Sequence, residues 1–165
     1  MLFFNENLVY SIVEIIENSF FSLNNSQIND NKLMNFSYFL ISDRSEVKLE
    51  NVLIKNNTFL DQTSIIYMTN TVFKLENATI IKNYFSINMV NFIFIENSIQ
   101  NEIIIIVSKV YILNNFLKGL FLNISGINTL IFNDSIIYNN TIIPMVCIYK
   151  AQNVSFNNNS FVNNV

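Results

Sequence analysis

One nine-residue phrase recurs along this chain and limits what the chain can fold into. It is clearest as NFIFIENSI, which runs from Asn91 to Ile99. The related phrases begin at Ile12, Asn51, Thr71, Lys109, Asn128 and Asn153. Most of these starts are separated by roughly twenty residues, and the last step is longer by about five. A fixed period of this size indicates a solenoid, in which each repeat forms one coil of the chain.

The repeats have the sequence pattern of short β-strands. Apolar and polar residues alternate, as from Val47 to Glu50, and Asn-containing turns follow. We predict about three strands of roughly three to five residues in each period. Antiparallel hairpins are the competing arrangement, but their tight turns favour Asn-Gly or Asp-Gly, and the sequence contains neither pair. We therefore expect parallel sheets, in which equivalent strands of successive coils stack about 4.8 Å apart.

The pattern predicts a single solenoid over residues 1–165. We expect its first coils, over residues 12–50, to be irregular and its coils over residues 51–165 to be regular. Neither end of the pattern includes the polar cap that a solenoid needs. We therefore expect either that the chain is a fragment of a longer solenoid or that partners cover its ends.

A polar residue recurs at the seventh position of each phrase. We predict that these residues stack as an inward Asn ladder, because Asn tolerates a left-handed backbone at a bend and its amide both donates and accepts hydrogen bonds. The alternative is a set of ordinary solvated turn residues. The predicted ladder consists of Asn18, Asn57, Asn77, Asn97, Asn115, Asp134 and Asn159.

The phrases VLIKNNTF, FIFIENSI, TLIFNDSI and VSFNNNSF resemble the coils of right-handed parallel β-helix proteins with the pectin-lyase-like fold. They are most similar to the Asn- and Ile-rich β-helix repeats of surface proteins from ciliates and other protists. The resemblance covers roughly Ile12 to Val165. It implies an all-β, right-handed parallel β-helix of about eight coils of roughly 20 residues. It also favours the cell surface or the extracellular space as the location.

The family that the chain resembles includes polysaccharide lyases and hydrolases. Their sites combine acidic clusters with basic partners, often with Ca²⁺. Here Arg44 is the only arginine and no Asp-Asp pair occurs. Glu17, Glu76 and Glu96 share one phase of the repeat, which we interpret as a solvated edge rather than a catalytic pair or a metal site. The chain has no histidine, which removes the usual hydrolase triads and zinc sites. We predict no catalytic, cofactor-binding or metal-binding residues.

The low charge and the short apolar runs of the sequence limit its partners and its location. Only 13% of the residues are charged, the formal net charge is −3, and no basic patch is visible, so we expect no nucleic-acid partner. The longest apolar runs are far shorter than the roughly 20 residues of a transmembrane helix, and the N-terminus shows no signal peptide. Cys147, in the apolar context MVCIY, is expected to be a small core residue.

Two further features concern the outer surface. Asn-x-Ser/Thr sequons identify possible glycosylation sites if the chain enters a secretory pathway, whereas Asn77 should be protected by its place in the inward ladder. The stretch IYNNTIIPM, which contains Pro144, is expected to form an extra loop, either a ligand contact or a neutral bulge. The possible glycosylation sites are Asn24, Asn56, Asn133, Asn139 and Asn158.

These features favour a non-catalytic structural or adhesive β-helix module that acts as a scaffold or contact surface. The first alternative is a degenerate carbohydrate-binding or polysaccharide-lyase-like β-helix. The second is a small subunit of a large assembly. The expected partners are neighbouring solenoid coils or a capping protein, together with glycans.

Overall fold

The computed structural model describes residues 13–34, 39–60, 64–85, 91–97, 102–117, 120–142 and 146–164. Within these ranges the chain contains 23 β-strands and no helix. The strands form four sheets, A to D, and every strand pairing is parallel. Successive strands along the chain enter sheets A, B, C and D in turn and then return to sheet A. The fold is therefore a parallel β-solenoid, as the alternating pattern and the missing hairpin turns indicate.

The strands are given by sheet. Sheet A contains β1 (Val13–Ile16), β5 (Leu40–Asp43), β9 (Ile66–Thr69), β13 (Ile93–Glu96), β17 (Leu122–Ser125) and β21 (Val146–Tyr149). Sheet B contains β2 (Phe20–Asn24), β6 (Glu46–Glu50), β10 (Val72–Glu76), β14 (Ile104–Ser108), β18 (Thr129–Asn133) and β22 (Asn153–Asn157). Sheet C contains β3 (Gln27–Asn29), β7 (Leu53–Lys55), β11 (Thr79–Ile81), β15 (Tyr111–Leu113), β19 (Ile136–Tyr138) and β23 (Ser160–Val162). Sheet D contains β4 (Lys32–Met34), β8 (Thr58–Leu60), β12 (Tyr84–Phe85), β16 (Phe116–Leu117) and β20 (Thr141–Ile142).

We number the coils one to six by their sheet A strands, so that coil one begins with β1 and coil six with β21. The chain makes about five complete turns, and the expected eight coils of roughly twenty residues are wrong. Equivalent asparagines of successive coils are separated by 26, 26, 32, 25 and 24 residues. The true coil is therefore about a third longer than the roughly twenty-residue period of the phrases.

The short apparent period has a structural cause. The phrases do not all describe the same strand of the coil: the one at Thr71 covers β10 of sheet B, the one at Asn91 covers β13 of sheet A, and the one at Lys109 covers β15 of sheet C. Steps between different sheets fall short of one full coil. The step from Asn128 to Asn153, which looked too long, joins β18 to its true neighbour β22.

Each complete coil contains four strands rather than three, because sheet D adds a short strand that the sequence pattern does not mark. The early coils also pair in register with the later ones. β2 pairs with β6 and β3 pairs with β7 in the registers that the following coils use. The described parts of residues 12–50 therefore join the same four sheets as the rest of the chain.

The corners that end sheets A, B and C turn on residues with positive φ. Among the residues that the structure describes, Asn and Asp supply twelve of the seventeen non-glycine residues in this conformation. They tolerate it because their short polar side chains hydrogen-bond locally. One left-handed residue breaks the extended backbone and starts the next strand, which explains the Asn-rich turns between short strands.

Inward-facing side chains fill the interior. Alternate strand residues are buried, as in the pattern of β10, where Phe73 and Leu75 are fully buried and their neighbours lie on the outer face. Like residues stack along the axis: the rings of Phe59 and Phe85 lie 4.9 Å apart between centroids. Burial of each large apolar side chain contributes about 1.5 to 3 kcal/mol, so this continuous core is the main favourable term in folding.

We predict that Gly126→Ala destabilises the fold. Gly126 has a φ of +73°, and the carbonyl oxygen of Asn97 lies 2.5 Å from where a Cβ atom would stand. The methyl group would clash with the backbone of coil four, so we expect the free energy of unfolding in urea to fall by about 1 to 3 kcal/mol. Ser125→Ala, at the adjacent residue of the same corner, is the control and should change it by less than about 0.5 kcal/mol. Equal effects of the two substitutions would contradict this explanation.

Candidate functional site

An asparagine ladder runs through the corner between sheets C and D. Each coil contributes one Asn, placed directly after the left-handed residue of that corner. The first five side chains are buried, with exposed fractions of 6% or less, and the sixth is half-buried. The ladder consists of Asn31, Asn57, Asn83, Asn115, Asn140 and Asn164.

The hydrogen bonds of Asn83 show how the ladder satisfies buried polar groups. Its backbone N–H and its Nδ2 both donate to Oδ1 of Asn115, each at 2.9 Å. Its own Oδ1 accepts the same two bonds from Asn57, at 3.0 and 2.9 Å. Nδ2 also donates to the carbonyl oxygen of Ile54 in the preceding coil, at 3.0 Å. The amide thus bridges three coils and pairs backbone groups that the corner would otherwise leave unsatisfied.

The structure distributes the seven residues of the expected ladder over three corners. Asn57 and Asn115 belong to the C–D ladder. Asn18 and Asn97 lie at the A–B corner. Asn77, Asp134 and Asn159 lie at the B–C corner. The seven residues hold the same position within their phrases. Because the phrases lie in different sheets, that one position falls at three different corners of the coil.

The expectation that Asn77 faces inward is wrong. Its side chain is exposed and donates a hydrogen bond to Oδ1 of Asn51 on the outer surface. Four ladder members were missed: Asn31, Asn83, Asn140 and Asn164. A sequence signal for them exists. Each follows a polar residue with positive φ, in the pairs Asp-Asn, Lys-Asn and Asn-Asn, and the pairs recur at the true coil length.

The other singled-out positions are scattered. Glu17 lies at the A–B corner, Glu76 ends β10 in sheet B, and Glu96 ends β13 in sheet A, so the three carboxylates do not share an edge. Among the described residues no group of three or more His, Cys, Asp or Glu side chains could hold a metal ion. Cys147 is exposed on the outer face of β21 rather than in the core, because it pairs with the outward-facing Asn123 of β17, while Val146 and Ile148 face the core.

The stretch IYNNTI is not an extra loop. It forms β19, the C–D corner and β20, which are regular parts of coil five, whereas Pro144 lies outside the described residues. Among the predicted glycosylation sites, Asn24, Asn56, Asn139 and Asn158 are exposed, and Asn133 is half-buried.

Charged side chains on the outer face of sheet B form ion pairs between coils two and three. Nζ of Lys48 lies 2.8 Å from Glu50 and 3.4 Å from Glu76, and Nζ of Lys74 lies 2.7 Å from Glu46. The hydrogen bond that Lys48 donates to Glu50 is the main reason that the pKa of Lys48 is raised above 10.5. Glu50 and Glu76 also border a shallow polar depression at the B–C corner. Both carboxylates are already paired with the same lysine, Lys48.

A second polar network surrounds Asp43 at the A–B corner. Its Oδ1 accepts from the hydroxyl of Thr69 at 2.6 Å and from Nδ2 of Asn70 at 3.3 Å, and its Oδ2 accepts from Nε of Arg44 at 3.0 Å. Arg44 also pairs with Glu17 of coil one at 2.6 Å. The Thr69 hydrogen bond, opposed by partial burial and assisted by Arg44, lowers the pKa of Asp43 below 3.8. The network links coils one, two and three.

The outer faces of sheets C and D contrast with sheet B. In coils three to six, the described strands of these two sheets contain no charged residue. Large apolar side chains project outward instead, and five of them are 40 to 43% exposed. The rings of Tyr84 and Phe116 stack at 5.2 Å with planes 6° apart. We name this surface the apolar strip, and it consists of Tyr84, Tyr111, Phe116, Ile136, Tyr138 and Val162.

The fold, the Asn ladder and the outer faces together define the class: the chain is a parallel β-solenoid protein with buried asparagine hydrogen bonding. No protein-family model and no curated protein matches its sequence significantly. In the described part of the chain, no helix has the length and apolar character needed to cross a membrane.

We predict that Asn83→Ala lowers the free energy of unfolding by about 2 to 4 kcal/mol. The substitution leaves two donors of Asn57 without their acceptor inside the corner, and each buried unsatisfied group costs about 1 to 3 kcal/mol. Asn24→Ala is the matched control, because Asn24 is exposed and accepts one surface hydrogen bond from Asn51. In urea unfolding, Asn24→Ala should lower the free energy of unfolding by less than about 0.5 kcal/mol. Similar losses for both variants would refute the assigned role of the ladder.

We predict that Asp43 contributes to acid sensitivity. Its pKa is lowered in the folded state, so its stabilising effect is fully present above the unfolded value near 3.8 and is lost as the pH falls through the folded value. Asp43→Asn should therefore be less stable than the wild type at about pH 6, and the difference should shrink at about pH 3. Glu96→Gln, which removes a carboxylate from the equivalent position of coil four, is the control. A difference between wild type and Asp43→Asn that stays constant with pH would contradict the prediction.

Proposed function

We propose that this chain is a non-catalytic structural or adhesive module whose outer sheet faces act as a scaffold or contact surface. The observation that carries the proposal is the apolar strip. Exposed side chains of this size, gathered on two adjacent sheet faces without charges, are typical of contact sites rather than of a solvated surface. Tyrosine suits such contacts, because its ring provides apolar area and its hydroxyl remains able to hydrogen-bond.

The interior supports the same function. Inward side chains fill the core, and the ladder amides use their donors and acceptors on one another and on backbone carbonyls. A coil packed in this way holds its outer faces in a fixed geometry with strands about 4.8 Å apart. This rigid spacing is what a scaffold supplies to its partner.

A carbohydrate-binding β-helix is the second candidate, and the parallel ring pair of Tyr84 and Phe116 favours it. Aromatic faces present a flat apolar platform on which the C–H faces of sugars can lie. Under this proposal the chain is a degenerate, pectin-lyase-like β-helix with right-handed coils that retains binding without cleavage. The corresponding location is the cell surface or the space outside the cell, as for the surface solenoids of protists. Glycans would then be attached to the exposed sequons.

A third candidate is a small subunit of a larger assembly. The low fraction of charged residues, 13%, favours it, because a chain whose faces are covered by partners needs fewer charges at its surface.

We predict that the strip tyrosines serve contact rather than stability. Thr79 occupies the position in coil three that Tyr111 occupies in coil four, so Tyr111→Thr fits the sheet without strain. Tyr111→Thr combined with Tyr138→Thr should lower the free energy of unfolding by less than about 1 kcal/mol. Phe73→Ala, which removes a buried ring, should cost about 3 to 5 kcal/mol. If the double tyrosine variant lost as much free energy of unfolding as Phe73→Ala, the strip would serve folding instead of contact.

Polysaccharide assays distinguish the candidates. The wild-type chain, the double tyrosine variant and Tyr149→Thr, an exposed tyrosine on sheet A, are incubated with cellulose, chitin and pectin. The first proposal expects neither retention nor newly formed chain ends. Retention that only the strip variant loses would favour the carbohydrate-binding candidate. Cleavage that Glu76→Gln or Glu96→Gln abolishes would overturn the non-catalytic proposal.

A further inference from the structure

In sheet C, the strands β15 and β19 of coils four and five present four apolar side chains to the outside. Tyr111 and Leu113 alternate with a buried residue in β15, and Ile136 and Tyr138 do so in β19. The exposed fractions of Tyr111, Ile136 and Tyr138 are 40%, 40% and 42%. Both strands pair on both sides, so these side chains are exposed because they face outward and not because a neighbouring coil is missing. We name the four residues the sheet C patch.

Two opposite charges stand at the end of the patch where sheet B turns into sheet C. Lys109 and Asp134 occupy the left-handed position of this corner in coils four and five, with φ of 55° and 50°. Both side chains are exposed, and within the described part of the chain neither forms an ion pair. Asp134 accepts one hydrogen bond from Nδ2 of Asn158 at 3.2 Å. The edge of the patch therefore offers a partner one cation and one anion in adjacent coils.

A second copy of the chain can cover this patch with its own. The relevant two-fold axis lies between the two facing sheets, runs parallel to their strands and passes midway between coils four and five. Rotation about it reverses the direction of the solenoid and keeps the direction of the strands. Coil four of each copy then faces coil five of the other, so each residue of β15 faces the β19 residue with which it already pairs inside one chain.

The apolar side chains match under this rotation. Tyr111 faces Ile136 of the second copy, and Leu113 faces Tyr138 of the second copy. The symmetry repeats both contacts, so four pairs form in which an aromatic ring packs on an aliphatic side chain. Burial of these side chains supplies the driving force, and the tyrosine rings provide large contact areas at low conformational cost.

The two charges favour this axis over the others that would bring sheet C against itself. Midway between the coils, Lys109 of each copy faces Asp134 of the other. An axis at the level of coil four would set Lys109 against Lys109, and one at coil five would set Asp134 against Asp134. An axis along the solenoid would reverse the strands and place Lys109 opposite the uncharged Asn114 at the far end of β15. Charged pairs of this kind select the register and orientation of an interface.

We propose that the sheet C patch is a self-association surface that joins two copies of this chain side by side, with antiparallel solenoids and the two-fold axis between coils four and five. The proposal rests on the contact function proposed for the apolar strip and names a second copy as the partner. Isologous pairing of this kind closes at two copies, because each patch is used once. The patch is small beside the roughly 800 Å² that each partner buries in a standard interface, so we expect the dimer to dissociate on dilution.

Charge reversal tests the arrangement, with the mass of the 165-residue chain measured by light scattering after size exclusion. We expect the wild type to reach twice 19.2 kDa at high concentration. Lys109→Asp and Asp134→Lys should each raise the dissociation constant by more than about tenfold, because like charges then face each other twice. Lys150→Asp makes the same charge change at an exposed left-handed residue between sheets A and B. It is the matched control and should dimerise as the wild type does.

Mixing the two reversed variants separates pairing between copies from effects within one chain. Lys109→Asp has two acidic residues at the corner and Asp134→Lys has two basic ones, so a mixed dimer sets an acid against a base at both places. We expect the mixture to dimerise about as tightly as the wild type, although neither variant does so alone. Both variants remain net negative, since each reversal changes the formal net charge of −3 by two, so overall attraction between the chains would not explain this result.

Three results would overturn the proposal. The first is a wild-type chain that stays at 19.2 kDa at about 1 mM. The second is dimerisation of both reversed variants with the affinity of the wild type, and the third is a mixture that stays monomeric. A failure of the proposed function is recognised separately, because the unfolding of the double tyrosine variant is measured at dilution, where association does not contribute. A small loss there combined with a monomeric wild type would keep the strip as a contact surface for a different partner.

Discussion

Parallel stacking of successive coils imposes a requirement at each corner, where the backbone bends and its N–H and C=O groups leave the sheet ladders. At the corner between sheets C and D these groups point into the core, where an unpaired amide is costly. An asparagine at every level meets the requirement, because one side chain supplies two donors and one acceptor along the axis. Asn57, for example, donates to Asn83 above it and to the carbonyl oxygen of Ile28 below it. The continuous apolar core depends on this arrangement.

The other corners meet the same bend with different chemistry. At the B–C corner the inward position after the left-handed residue is occupied by Val52, Ala78, Val110 and Ser135 in successive coils. In coils five and six polar side chains act at this corner, since Oγ of Ser135 accepts from the N–H of Val110 and Oδ1 of Asn159 accepts from the N–H of Ser135. Backbone bonds between neighbouring coils are common to both corners, as from Thr79 N–H to the carbonyl oxygen of Val52 and from Tyr84 N–H to the carbonyl oxygen of Asn57. The C–D corner is therefore distinguished by a side-chain amide in each of the six coils, whereas the residue at the B–C corner varies from coil to coil.

The outer faces divide the solenoid into regions with different potential for contact. Sheet B in coils two and three carries lysines and glutamates that are paired with one another. Sheets C and D in coils three to six carry exposed tyrosines and no charges within their described strands. The proposed contact surface and the charged face thus lie on different sheets of one solenoid.

Local chemistry in the sequence determined the all-β class, the parallel solenoid and the use of Asn at bends. Alternating residues, β-branched composition and missing hairpin turns are properties of short segments, and they need no knowledge of which strands meet. The coil length and the membership of the ladder were decided by tertiary structure. Strands of sheets A, B and C share one pattern, so phrases from different sheets align as well as true equivalents do. Only contacts between coils, as from Asn83 to Asn115, show which asparagines stack on one another at the C–D corner. The exposed strip likewise appears only when the coils are stacked, because its residues come from strands that are far apart in the sequence.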